Sequence, residues 1–107
     1  MSNVYGLPED ALIKIRERDT ECVYCHKEMT IPKNGDDRRN WATIEHMNDQ
    51  PPFNDPTTVA ICCGSCNSSR GVKKLLIWFE SPYCKQRNIS LVTVAGPVKK
   101  YITEYEM

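Results

Sequence analysis

Two Cys-x-x-Cys units do most to limit what this chain can fold into: Cys22-Val-Tyr-Cys25 and Cys63-Gly-Ser-Cys66. The turn inside each unit aims both sulfurs the same way, so each can place two thiolates on one ion. Four thiolates complete the closed tetrahedral shell of a structural zinc site. A chain of 107 residues forms one domain with a limited core, and a metal clip compensates for that. The expectation is therefore structural Zn²⁺ on Cys22, Cys25, Cys63 and Cys66. Thirty-seven residues lie between the units, more than in a simple zinc ribbon, so the intervening chain must form an insert that returns. A redox dithiol and a disulfide framework are the alternatives, and Cys62 competes with Cys63 as ligand. Cys63 preserves the two-residue gap, which leaves Cys62 as a small buried hydrophobe. Cys84 reads as core and His26 as a surface residue.

Composition narrows the setting. MSNVYGLPED has neither a basic start nor an apolar core, so no secretory signal is expected. The longest apolar run, residues 75–79, is too short for a membrane span. The expectation is an intracellular protein with reduced thiols, which favours metal over disulfides. Formal net charge is zero, yet charge is unevenly placed. Seven basic residues and one acid fall between Arg70 and Lys100, either a solvated face or a contact surface for an anionic polymer.

Residues 7–18 read as a helix, with Pro8 at its first position, acids in its first turn, and Ala11, Leu12 and Ile15 on one face. Residues 30–40 and 47–56 read as loops, the first with an Asn34-Gly35 turn. Strands are expected at 41–46 and 57–62, then a helix from Cys66 to about Phe79 with Val72, Leu75, Leu76 and Phe79 on one face. Gly71 inside that helix costs ~1 kcal/mol against alanine and calls for a packing or close-approach reason. A short segment at 83–87 and a final helix after Gly96-Pro97 complete the chain.

Glu45 and His46 stand where the first strand runs into loop, and Asn67 directly follows the second cysteine unit. If the zinc clip lies beside that strand, the three converge. Oxygens from Glu45 and Asn67 would then suit a hard cation such as Mg²⁺, and His46 would be free to take a proton from water.

RERDTECVYC, ATIEHMND and TTVAICCGSCNSSRG together resemble the HNH nuclease family over about residues 16–80. The resemblance implies an α+β fold, a small zinc-stabilised ββα-metal (HNH) domain with flanking helices, in which 82–107 is a C-terminal helical extension. It implies an endonuclease, a hydrolase of DNA phosphodiester bonds with RNA left open. It makes His46 the general base, Glu45 and Asn67 the ligands of catalytic Mg²⁺ or Mn²⁺, and Arg70 a phosphate contact. Lys73 and Lys74 extend that nucleic-acid surface. Glu45 stands where the family usually has aspartate. Thr58 stands near the place of the asparagine that orients the histidine, so the brace on His46 is expected from a backbone carbonyl, with Thr58 bonding into the 47–56 loop. The alternative is a non-catalytic zinc module for nucleic acid or protein. Oligomeric state is not legible.

Overall fold

A computed structural model describes residues 7–31, 37–48 and 55–107. These residues form a small α+β fold with one two-stranded antiparallel sheet and several helices.

Helix α1 (Glu9–Arg18) buries Leu12 and Ile15, three apart on one stripe. Acids in its first turn and arginines in its last match the helix dipole. Pro8 precedes the first helical residue, where its carbonyl accepts from Leu12 N–H, rather than occupying the first turn as expected. Asp19 ends the helix and does more than cap it. Its buried carboxylate accepts from Arg18 Nε at 2.7 Å and from Ile61 N–H at 3.0 Å, which pins α1 to the sheet.

Strands β1 (Ala42–His46) and β2 (Val59–Cys63) pair with Ala42 opposite Cys63 and His46 opposite Val59. Side chains alternate between two packed faces. Ala42, Ile44, Val59 and Ile61 meet Leu7, Leu12 and Ile15 of the α1 side. Ala60 and Cys62 enter the larger cluster around Trp78. The second strand starts two residues later than its β-branched run suggested. Asp55 accepts from Thr57 N–H, and Pro56–Thr58 turns as 3-10 before the strand begins.

Helix α2 (Gly64–Arg70) follows β2 with no intervening loop. The expected continuous helix to Phe79 is broken. Gly71 takes φ +57° and ψ −122°, a conformation that suits only glycine, and the chain restarts as α3 (Leu75–Trp78). A Cβ on Gly71 would meet nothing within 4 Å, so its reason is backbone conformation and not close approach. The break also removes Val72 from the apolar face. It is 73% exposed, whereas Leu75 and Phe79 are buried.

Helices α4 (Pro82–Arg87) and α5 (Gly96–Tyr105) share the main core through Cys84, Val98, Tyr101 and Ile102. The tail also caps α3. Both oxygens of Glu106 accept from the N–H groups of Leu75 and Leu76, each at 2.9 Å, which satisfies two donors that a helix start leaves unpaired. Among the described residues no helix is long and apolar enough to cross a membrane. The Asn34-Gly35 turn and most of the 47–56 loop lie outside the described residues.

Candidate metal centre

The first cysteine unit sits in a tight hairpin. Glu21 and Glu28 form an antiparallel bridge, Cys22 N–H donates to Lys27 O, and His26 N–H closes back on Cys22 O at 2.9 Å. The turn needs one residue with positive φ, and His26 supplies it at 66°. Histidine is among the residues that enter this region more readily than most. Its exposed ring bonds through Nε2 to Thr93 O, so it ties the hairpin to the tail.

The second unit straddles the end of β2 and the first turn of α2. Cys63 is the N-cap residue, and its sulfur accepts from Cys66 N–H at 3.4 Å. The two units meet. The sulfurs of Cys22, Cys25, Cys63 and Cys66 all lie within 4.8 Å of one another, and the Cys25–Cys63 pair is 3.9 Å apart. A tetrahedral zinc with bonds of about 2.3 Å has sulfurs about 3.8 Å apart, so the cluster is spaced to hold a metal ion and suits structural zinc. Cys63, not Cys62, is the member. Cys62 is buried on the core face beside Thr43, where burial raises its thiol pKa.

The crowded thiols share protons. Hydrogen bonds from Cys25, Cys63 and Cys66 hold Cys22 well below the usual thiol value, and the same contacts push Cys63 and Cys66 up. A divalent cation relieves that crowding by letting all four ionise. Tyr83 stands behind the cluster. Its hydroxyl donates to Cys66 Sγ at 3.3 Å and pairs with Ser65 Oγ at 2.8 Å. Sequence spacing did not single out Tyr83, because only the packing of α4 on Trp78 brings it there.

Three contacts lay α2 along β1 and the residue before it. Gly64 N–H donates to Trp41 O at 3.0 Å, Asn67 Nδ2 to Ile44 O at 3.3 Å, and Arg70 Nη1 to His46 O at 2.8 Å. Asn67 Nδ2 also reaches Thr43 Oγ1 at 3.0 Å. Asn67 and Thr43 line an open cavity of about 480 Å³ with Arg38, Arg39, Trp41 and Ser68.

Glu45 shares a face of β1 with Thr43 but does not line the cavity. It is 3% exposed, accepts from the Tyr24 hydroxyl through Oε2 at 2.9 Å, and sets Oε1 3.5 Å from Arg70 Nη1. Burial pushes its carboxyl up to about 7, against the pull of Arg70 and Tyr24. Among the described residues no hydrogen bond joins Glu45 to Asn67. Arg70, read from the sequence as a phosphate contact, is 2% exposed. Its guanidinium is consumed by three backbone carbonyls, those of His46, Met47 and Lys73, besides Glu45. Lys73 and Lys74 are exposed just beyond it.

His46 closes β1 opposite Val59. Alternation puts it on the face of Ala42 and Ile44 and leaves Glu45 on the other. Thr58, expected on the second strand, lies in the 3-10 turn before it. Its hydroxyl donates to Asp55 O at 2.9 Å, and its carbonyl accepts from Met47 N–H at 2.9 Å, next to His46. Compared with protein-family models, curated proteins and solved structures, the chain matches none.

Proposed function

We propose that this chain is a nuclease of the HNH type, with β1, β2 and α2 as its ββα core. The observation that carries the reading is the placement of α2. The helix starts inside the four-cysteine cluster and is hydrogen-bonded along β1 to the carbonyl of His46. A metal at the cysteines would fix the helix start, and α2 would in turn hold the strand end that presents the histidine. In this reading His46 takes a proton from the water that attacks a phosphodiester, the role of a general base. The carbonyl of Thr58 holds the next backbone N–H and steadies the turn after His46.

The catalytic Mg²⁺ or Mn²⁺ that the resemblance implies supplies charge neutralisation at the phosphate when bound. Its expected ligand pair fits unevenly. Asn67 lines an open cavity, but Glu45 is enclosed, with one oxygen on a tyrosine hydroxyl and the other against a guanidinium. Mg²⁺ dehydrates reluctantly and keeps several waters, for which an enclosed carboxylate beside a cation leaves no place. Glu45 as placed does not fit that ligand role, and its chemistry here is that of a buried strut.

That same misfit favours a second reading, a non-catalytic zinc module that binds nucleic acid. Plasmid nicking with added Mg²⁺ or Mn²⁺ separates the two. The nuclease reading expects nicking by the wild type and a loss of about 10²–10⁴-fold in His46→Ala, with zinc content unchanged. Wild type that fails to nick, or His46→Ala that nicks normally, sinks it.

A further inference from the structure

The cavity beside the cysteine cluster is a built feature. The 3-10 turn Arg38–Asn40 is pressed onto the start of α2 so closely that a Cβ on Gly64 would sit 2.0 Å from Arg38 O. Only glycine permits that approach. Gly64 N–H bonds Trp41 O at 3.0 Å, so the residue that follows the turn is held to the same helix start. The consequence is a cavity of about 480 Å³, within the range that holds a small-molecule-sized ligand, with two arginines and a tryptophan at its wall.

The chemistry of that wall is specific. The Arg38 guanidinium rests 5.5 Å from the Trp41 ring centroid, and among the described residues it has no carboxylate partner. Arg39 holds Asp37 at 2.8 Å and remains exposed. The Trp41 indole N–H is buried with no acceptor among the described residues, so the part of Trp41 open to the cavity is its ring and not its donor. Asn67 and Ser68 add polar edges on the helix side. An aromatic ring with a guanidinium over it stacks on nucleobases, and a free guanidinium takes phosphate oxygens.

We infer that this cavity binds one unpaired nucleotide of a nucleic-acid strand, its base against Trp41 and its phosphate at Arg38. The choice of polymer rests on the nucleic-acid partner of the proposed function. The base must be unpaired because stacking in a duplex covers both of its faces.

The test is binding of a fluorescently labelled eight-nucleotide oligothymidylate to the zinc-loaded protein, without added divalent ion. Trp41→Ala and Arg38→Glu should each weaken binding about tenfold or more, with zinc content and circular dichroism unchanged. A blunt duplex of equal length should bind more weakly than the single strand. The oligothymidylate should also quench tryptophan emission through Trp41, since Trp78 is buried in the core. Should Trp41→Ala misfold, Trp41→Phe keeps a ring, and its oligothymidylate affinity should lie below wild type with the quench lost. Unchanged affinity in both Trp41→Ala and Arg38→Glu, equal binding of duplex and single strand, or a quench that survives Trp41→Phe overturns the inference. A wild type that nicks plasmid yet shows those results removes the nucleotide site and leaves the nuclease reading standing. Oligothymidylate held through Trp41 by a protein that never nicks does the reverse.

Discussion

Two polar centres both join the first cysteine hairpin to α2. The four thiols of Cys22, Cys25, Cys63 and Cys66 form one. Tyr24, Glu45 and Arg70 form the other, with Tyr24 rising from inside the same Cys22–Cys25 turn and Arg70 closing the helix that Cys66 helps open. The first gathers like groups that repel once ionised, so it is complete only with a cation. The second gathers opposite charges and a hydroxyl, so it is complete by itself. A small core thus carries one centre spaced to hold a metal ion and one in which burial raises a carboxyl.

Breaking the thiol centre should have the largest effect. Metal-binding free energy in such sites is folding free energy, about 10–16 kcal/mol in zinc-finger peptides. Cys66→Ser should lose zinc and the cooperative melt together, and Cys62→Ala should keep zinc near one equivalent. Zinc retained by Cys66→Ser with an unshifted melt would contradict the centre.

Arg70→Ala comes next. It leaves the carbonyls of His46 and Met47 without their donor and the Glu45 carboxyl without its cation, so a loss of about 1–3 kcal/mol per stranded carbonyl is expected by urea unfolding. Zinc should stay bound, which separates this centre from the first. Arg70→Lys should not rescue it, because one ammonium cannot span the three carbonyls that the guanidinium reaches.

Proton sensitivity sharpens the contrast. Glu45 has a folded value raised to about 7 against an ordinary 4.5, so the folded state holds the extra proton between those values. Stability should therefore fall as pH rises from about 5 to 7 and flatten above, by up to about 3 kcal/mol. Glu45→Gln should remove that slope. The difference between the two proteins isolates Glu45, since any zinc release at low pH is common to both. A wild-type stability that rises over this window relative to Glu45→Gln would show the carboxyl to be lowered, not raised.

The smallest effect belongs to Thr58→Val, which keeps shape and loses one hydrogen bond to Asp55 O. About 1 kcal/mol is expected in the same unfolding measurement. If nicking is found, this variant should leave it nearly intact, because the contact beside His46 is made by the backbone of residue 58.

Some of this was settled by the sequence alone. Spacing within Cys-x-x-Cys is a local geometric instruction, and the stripe of Leu12 and Ile15 and the alternation of β1 are equally local. So the four-cysteine cluster, α1 and the two strands were legible, to within a residue or two at their ends. Gly71 shows the limit of pattern reading. Leu75, Leu76 and Phe79 suit a helix reaching back to Cys66, but the glycine's positive φ ends one helix and turns the chain before the next.

Tertiary structure alone decided which charges meet. Arg70 reads as a phosphate contact from the family resemblance and the basic tract it opens, and Glu45 as a ligand from the carboxylate–histidine pair it forms at a strand end. Twenty-five positions apart, they are placed face to face once α2 lies along β1, and Tyr24 closes over them from the hairpin. A charge taken out of water must find a partner or give up its proton. Which partner it finds depends on how elements pack, and spacing along the chain carries no record of that.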